Sequence, residues 1–371
     1  MIVLKFVAIL ILSLLFTFCS NEYKPNVTNN IFDVSLDTID SEIWFPDLMA
    51  VNTRSIIEIQ STLCLIAPNE QSLIYCIDNK TNKELGYVGI VGEGPQDMQP
   101  LPIYAGKSVK GDTIYLYDFN AKKLNAYNLS QAINGNPKLD LIFSKKLPNP
   151  LVGKYTSSYM GISRLQNGYY VGLNFLSLGD KFLTLLDDNL NVVKEFGEQP
   201  LKGLPPKGSI KNFRSFDGTL CTLGNSVYYA ASKFGYLARY DISKEGEIIH
   251  KWTQRYADVD YKIENKQNIK FSSNNLNGFS DLTVGKKFIY ATYSGIPFSE
   301  IFKARSVNAA GAKTLVVYNH DGEALGRFKL KSCSFTIGIS ENEEYIYVMN
   351  IDPEIQLERI KVSDIEKLIK D

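Results

Sequence analysis

The chain has 371 residues, 44% apolar and 22% charged, with Lys plus Arg and Asp plus Glu both at 40. This is a globular composition, and the length suits one large or two ordinary domains. The neutral balance gives no case for nucleic acid, which needs a basic face, and 22 Tyr with 20 Phe favour strands over helices.

The first residues, MIVLKFVAILILSLLFTFCSNE, carry one early charge, Lys5, then an uncharged and mainly apolar run from Phe6 to Phe18. That run has the length of a signal-peptide core and is short for a membrane span. It ends at Cys19, followed at once by Ser20, Asn21 and Glu22. The pattern resembles a bacterial lipoprotein signal, in which the cysteine becomes the lipidated N-terminus. Phe18 stands where most such signals carry Gly or Ala, a position at which Bacteroidota signals are looser. The polar, acidic SNE also resembles the signal that takes their lipoproteins to the cell surface. The expected organisation is a signal peptide over 1–18, a tether over 19–30 and one folded body over 31–371. The expected location is the outer membrane, on its surface or periplasmic side, held by acyl chains on Cys19. The alternative is an uncleaved anchor from Ile2 to Phe18.

Asn30 to Gln60 holds IFDVSLDTI and RSIIEIQ, part of which is expected to supply a strand that closes the fold against the C-terminus. STLCLIAPNEQSLIYCID then reads as two strands about a turn at Glu70, which puts Cys64 opposite Cys76. In an oxidising compartment the two can bond, and the competing reading is a pair of buried apolar thiols. The absence of any C-x-x-C, with only His250 and His320 present, argues against a Cys/His zinc site.

Beyond this point short strands repeat. β-rich runs begin at Thr62, Thr113, Tyr169, Val227, Phe288 and Tyr345, so successive starts lie 51, 56, 58, 61 and 57 residues apart. Partner runs follow each, and four of these end on Asp78, Asn128, Asp241 or Asn319, where a tight turn favours Asp or Asn. A fixed period of this length, with about four strands per repeat, predicts an all-β, six-bladed β-propeller. Closing the ring removes open sheet edges. Even spacing over the whole chain argues against two separate β domains.

GYVGIVGEGPQDM, Gly86 to Met98, has the look of a phosphate loop. However, Asp97 occupies the third glycine position of the dinucleotide fingerprint, Pro95, Pro100 and Pro102 forbid the helix it needs, and no G-K-[ST] follows. The stretch is predicted to connect the outer strand of one blade to the inner strand of the next. GEGPQDM resembles the G-x-G-P-x-[DE] turn of the six-bladed propeller lipoproteins of Bacteroidota, often called TolB-like. TYSGIPFSE, KTLVVYNHDGEALGRFKL and EEYIYVMNIDPE resemble that family's fifth and sixth blades. The resemblance runs in outline from Ile31 to the C-terminus. It implies a surface or periplasmic lipoprotein and is silent on chemistry.

Enzyme signatures are scarce. There is no G-x-S-x-G, and the S-x-D-x-G-x-T-W boxes of sialidases are absent. Asp97, Asp217, Asn277 and Asp281 lie near inner-strand starts, where carboxylates and amides can converge on calcium as in propeller lactonases. Asx residues at strand ends are more often turn formers. His320 in NHDGE reads as a solvated hairpin tip, and the LDDN carboxylates Asp187 and Asp188 as turn residues. Tyr155 and Arg214 precede inner strands and Arg305 lies in a long loop, so all three are candidate ligand-binding residues. The expected function is a binding or scaffold propeller for a protein or glycan, alone or as accessory to a nutrient-uptake system. The alternative is a channel-centred, metal-dependent hydrolase or lyase.

Overall fold

The computed structural model describes residues 31–370, except 51, 95, 109, 131–136, 148–150, 153–154, 157–158, 175–180, 199–200, 202–216, 257–258, 266–267, 305–309 and 353. Two short strands open the described chain, β1 (Leu36–Thr38) and β2 (Glu42–Phe45). Four antiparallel four-stranded meanders follow. The first is β3 (Ser55–Ile59), β4 (Thr62–Ile66), β5 (Ser72–Asp78) and β6 (Lys83–Ile90). The second is β7 (Pro102–Lys107), β8 (Thr113–Asp118), β9 (Lys123–Asn128) and β10 (Asp140–Lys146). After a small ribbon, β11 (Leu151–Val152) with β12 (Tyr155–Thr156), comes the third: β13 (Tyr159–Arg164), β14 (Tyr170–Asn174), β15 (Lys181–Leu186) and β16 (Val192–Glu198). The fourth is β17 (Gly218–Leu223), β18 (Ser226–Ala231), β19 (Tyr236–Ile242) and β20 (Ile248–Arg255).

A hairpin, β21 (Tyr261–Glu264) with β22 (Asn268–Phe271), leads into an eight-stranded sheet. Its strands are β23 (Phe279–Val284), β24 (Ile289–Tyr293), β25 (Ala312–Tyr318), β26 (Ala324–Ile339), β27 (Tyr345–Asp352) and β28 (Gln356–Lys361), joined by β1 and β2. Among the described residues two α-helices are complete, α1 (Phe298–Ala304) between β24 and β25, and α2 (Val362–Lys370) after β28.

The β-rich runs become the second strand of each meander. Every residue of β4, β8, β14 and β24 is buried. A strand covered on both faces reads as a continuous apolar run, which is why these segments stand out in the sequence. The outer strands alternate or open to solvent, as in β10 and β6. Each repeat starts one strand before its β-rich run, so Ser55–Ile59 belongs to the first meander rather than preceding it.

Six apolar cores lie between successive sheets among the described residues. They join the first sheet to the second, the second to the third and the third to the fourth. They continue from the fourth to β23–β25, from there to β26–β28, and from β27–β28 back to the first sheet. The circuit closes, so no sheet leaves a broad apolar face uncovered. This is an all-β, propeller-like fold. The expected closing strand is β2, which pairs antiparallel with β28 through Glu42↔Arg359 and Ile43↔Glu358. Within IFDVSLDTI, β1 also joins this sheet, pairing parallel with β26 with Leu36 opposite Arg327. α1 differs from the loop expected there.

The inner strands point the same way, because their first turns meet. Gln60 N–H donates to Glu341 Oε2 (3.0 Å), Gln166 N–H to Gly224 O (2.8 Å) and Lys286 N–H to Glu343 Oε1 (2.7 Å). One face of the disc thus gathers tight hairpins, and the opposite face gathers the connections between sheets and the long insertion that carries α1. These are called the turn face and the loop face below.

Candidate functional site

On the turn face, polar side chains are consumed by the turns themselves. Asp78 Oδ1 accepts from Lys80 N–H (2.9 Å), Asn128 Oδ1 from Ser130 N–H (2.8 Å), and Asn319 Oδ1 from both Asp321 N–H (3.0 Å) and Glu323 N–H (2.9 Å). These are the turn roles expected of them. Asp187 likewise accepts from Asn189 and Asn191 N–H (2.9 and 2.8 Å), so its carboxylate is spent in the LDDN turn. Asp241 differs, taking Arg239 through both carboxylate oxygens (3.0 and 3.2 Å).

His320 is not the solvated tip that its hairpin position suggested. Its ring lies between sheets. Nε2–H donates to the carbonyls of Gly285 (3.1 Å) and Lys286 (3.0 Å), which leaves Nδ1 to accept from the Tyr228 hydroxyl (2.8 Å). Two carbonyls facing one nitrogen assign that nitrogen the proton. The His320 carbonyl in turn accepts from Arg239 Nη1 (2.7 Å) and Trp252 Nε1 (2.8 Å). The residue ties the fourth sheet to the fifth.

The glycine-rich stretch is a connection, as expected, running from β6 to β7. It cradles a carboxylate of its own. Gly94 N–H donates to Asp97 Oδ2 (2.9 Å), and a Cβ on Gly92 or Gly94 would meet that oxygen at 2.5 or 2.6 Å. The glycines are there because only a bare backbone lets the carboxylate approach so closely. Asp97 is therefore turned onto its loop. Asn277 is also used locally, donating through Nδ2 to Ala310 O (3.2 Å). Among the described residues no group of three or more His, Cys, Asp or Glu side chains comes together to hold a metal.

Asp281 is the candidate with unusual chemistry. It sits at a bulge in β23, almost fully buried, where the inner strands of three sheets approach. Oδ1 accepts from Leu282 N–H (2.8 Å) and Oδ2 from Ile337 N–H on β26 (2.9 Å), while its own N–H donates to Thr292 Oγ1 (3.0 Å). Burial pushes its pKa from 3.8 up to about 7, against the pull of the Ile337 and Leu282 N–H groups and the Thr219 hydroxyl. Desolvation of the charged form outweighs three hydrogen bonds. Close by on β17, burial pushes the Cys221 thiol up to about 12, with the Asp281 carboxylate adding to the effect.

Asn350 faces the same inter-sheet space. Tyr290 on β24 and Val348 on β27 share one core, so Thr292 and Asn350, two residues further along each strand, point to that interface as well. Asn350 is 1% exposed, and neither its Oδ1 nor its Nδ2 finds a hydrogen-bond partner among the described residues.

Of the residues expected to bind ligand, Tyr155 lies in β12, opposite Val152, just ahead of inner strand β13. Arg214, Arg305 and the lipidation site Cys19 lie outside the described residues. The arginine–aromatic pairing is present elsewhere. Arg359 Cζ stands 5.2 Å from the Trp44 ring centre and 4.8 Å from that of Tyr345, with Glu42 held through Nε (2.8 Å) and Nη2 (3.2 Å). This group clamps β2 onto β28. Its partners are 317 residues apart in sequence, beyond the reach of any local pattern.

No family model and no curated protein matches the chain. Among solved structures, a Bacteroides fragilis protein assigned as exported aligns with a TM-score of 0.55 at 12% identity, over 90% of this chain and 96% of that one. Regucalcin from Agrobacterium tumefaciens, a calcium-binding protein, aligns at 0.47 with 11% identity, over 88% and 96%. Hydrazine synthase from Kuenenia stuttgartiensis aligns at 0.48 with 11% identity, over 88% and 81%. At this identity the first likeness shows the fold alone, and nothing is built on the other two.

Proposed function

We propose that the chain is a six-bladed propeller lipoprotein of the Bacteroidota TolB-like kind, which recognises a protein or glycan with its loop face. Six blades follow if the eight-stranded sheet is divided within β26. Residues 324–329 of that strand pair with β25 as an outer strand, and residues 333–339 pair with β27 as an inner one. The segment over 1–18 is then the export signal, Cys19 the lipid anchor at the outer membrane, 19–30 the tether and 31–371 the propeller. Tyr155, Arg214 and Arg305 are carried forward as ligand contacts, since all three fall in connections that begin and end on the loop face.

The observation that carries this reading is the asymmetry of the two faces. Polar side chains close turns on both faces, as Asn69 and Asp118 do on the loop face, but the loop face carries the long connections, where binding residues concentrate. It also presents Phe302 of α1 at 71% exposure, backed by Phe298 and Phe271. The metal-dependent hydrolase has less support, because Asp97, Asn277 and Asp281 are each committed to main-chain partners nearby. Accessory service in nutrient uptake is the same reading with a fixed outer-membrane partner.

A photo-crosslinking residue in place of Phe302, compared in whole cells with one in place of exposed Lys80 on the turn face, tests the proposal. One dominant adduct from position 302 and none from position 80 is expected. Adducts from position 80 alone, or from neither, overturn it.

A further inference from the structure

The strands β4 and β5 place Cys64 directly opposite Cys76. Two main-chain bonds at the ends of this ladder fix what kind of pair it is. Asn79 N–H donates to Ser61 O (2.9 Å) and Ala67 N–H to Leu73 O (3.1 Å), which marks 61/79 and 67/73 as hydrogen-bonded pairs. In an antiparallel ladder hydrogen-bonded and non-hydrogen-bonded pairs alternate. Pairs 63/77 and 65/75 are then of the first type, and Cys64/Cys76 is of the second. At such a pair the Cα atoms stand about 4.5 Å apart and the side chains lean together. That spacing falls inside the range of roughly 4.4–6.8 Å found for disulfides.

Both thiols are free in this structure, and both are buried, at 0% and 1% exposure. They share a core with Ile114, Leu116 and Tyr127, which belong to the second sheet. What hides them is therefore the next sheet along the chain. Within the folded state Cys64 Sγ also leans on Thr62 O at 3.9 Å. Its hydrogen bond with Cys76 and its burial hold the thiol well above the ordinary range. A thiol kept from ionising is a poor nucleophile.

We propose that Cys64 and Cys76 close into a cross-strand disulfide before the second sheet packs onto the first, with an external disulfide as oxidant. The Cys64 thiolate attacks the oxidant, R–S–S–R, forming a mixed disulfide and releasing R–S⁻, which takes up a proton. The Cys76 thiolate then attacks Cys64 Sγ and expels the second R–S⁻. Two protein thiols become one disulfide, and one oxidant disulfide becomes two thiols. Cys221 and Cys333 lie on inner strands β17 and β26, where they stand opposite Tyr228 and Asp352 rather than a cysteine.

The test uses the full chain, unfolded and reduced, then refolded in a buffer of reduced and oxidised glutathione. Samples are quenched with acid, unfolded, alkylated without reductant and mapped by mass. The expected product has Cys64 and Cys76 joined, two hydrogen masses lost, and Cys221 and Cys333 alkylated. Alkylation of both Cys64 and Cys76, or glutathione retained on either, overturns the disulfide. Adding the same buffer to protein already folded in the reduced state tests the order of events. Oxidation at least tenfold slower than during refolding is expected, and equal rates overturn that order.

Discussion

The two faces of the disc are built from the same repeating strands and differ in what joins those strands. On the turn face, Asp78, Asn128, Asp187 and Asn319 close their own turns. Neighbouring turns are then tied together by His320, Glu341 and Glu343. On the loop face the connections between sheets are long, and the β21–β22 hairpin and α1 are added to the repeat. Asn275 ties these additions together, its Oδ1 accepting from Asp260 N–H (3.0 Å) and its carbonyl from Phe298 N–H (3.0 Å). A ring can hold its geometry from one side only if that side is over-determined, which leaves the other free to vary.

The largest expected effect breaks that contrast where the loop face meets the strands. A Cβ on Gly278 would lie 2.3 Å from Phe234 O and 2.4 Å from Ala231 O, both main chain. Gly278→Ala should cost about 3 kcal/mol in chemical denaturation, since neither carbonyl can rotate away. A tolerated substitution would mean that this junction is as loose as the loops beyond it. On the turn face, His320→Ala removes the bond to Tyr228 and leaves two carbonyls without their donor, a loss of about 2 kcal/mol. An unchanged denaturation midpoint would show that the turns, not the ties between them, hold that side.

Asp281 stands between the faces, and its effect is the most diagnostic because it changes with pH. Its folded pKa is raised, so the native state binds a proton that the unfolded chain has released. The stability linked to that proton is fully present below about pH 4 and is lost as pH rises towards 7. Asp281→Asn should remove this contribution, whose slope is at most about 1.4 kcal/mol per pH unit. The amide has one acceptor for two N–H groups, so a constant loss at every pH accompanies the flattened profile. Identical pH slopes for the two proteins would rule out a carboxyl that titrates near neutrality.

Much of this architecture is legible without coordinates, for physical reasons. Runs buried on both faces, such as Thr113–Asp118, are continuous in sequence, and turn formers such as Asn319 act within four residues of themselves. A strand from Asn30–Gln60 that closes the C-terminal sheet was expected, and β2, outside both quoted runs, fills that role. What escaped is non-local. His320 is bonded to Tyr228, 92 residues away, and Asp281 to Ile337, 56 residues away. Neither environment leaves a periodic mark, so one looked solvated and the other looked like a metal ligand or a turn former. α1 is seven residues long, too short for amphipathic periodicity to register.

The strand that completes the C-terminal sheet comes from the other end of the chain, joined in sequence to the first meander through residues 46–54. Pairing of this kind is indifferent to which copy supplies the strand. Two chains that open together can exchange β2, each finishing the other's sheet with the same Glu42–Arg359 clamp. The residues that keep one molecule whole are thus also the recipe for a swapped dimer, and reaching it means releasing β2 together with β1 from β26 and the buried Ile31 and Ile39.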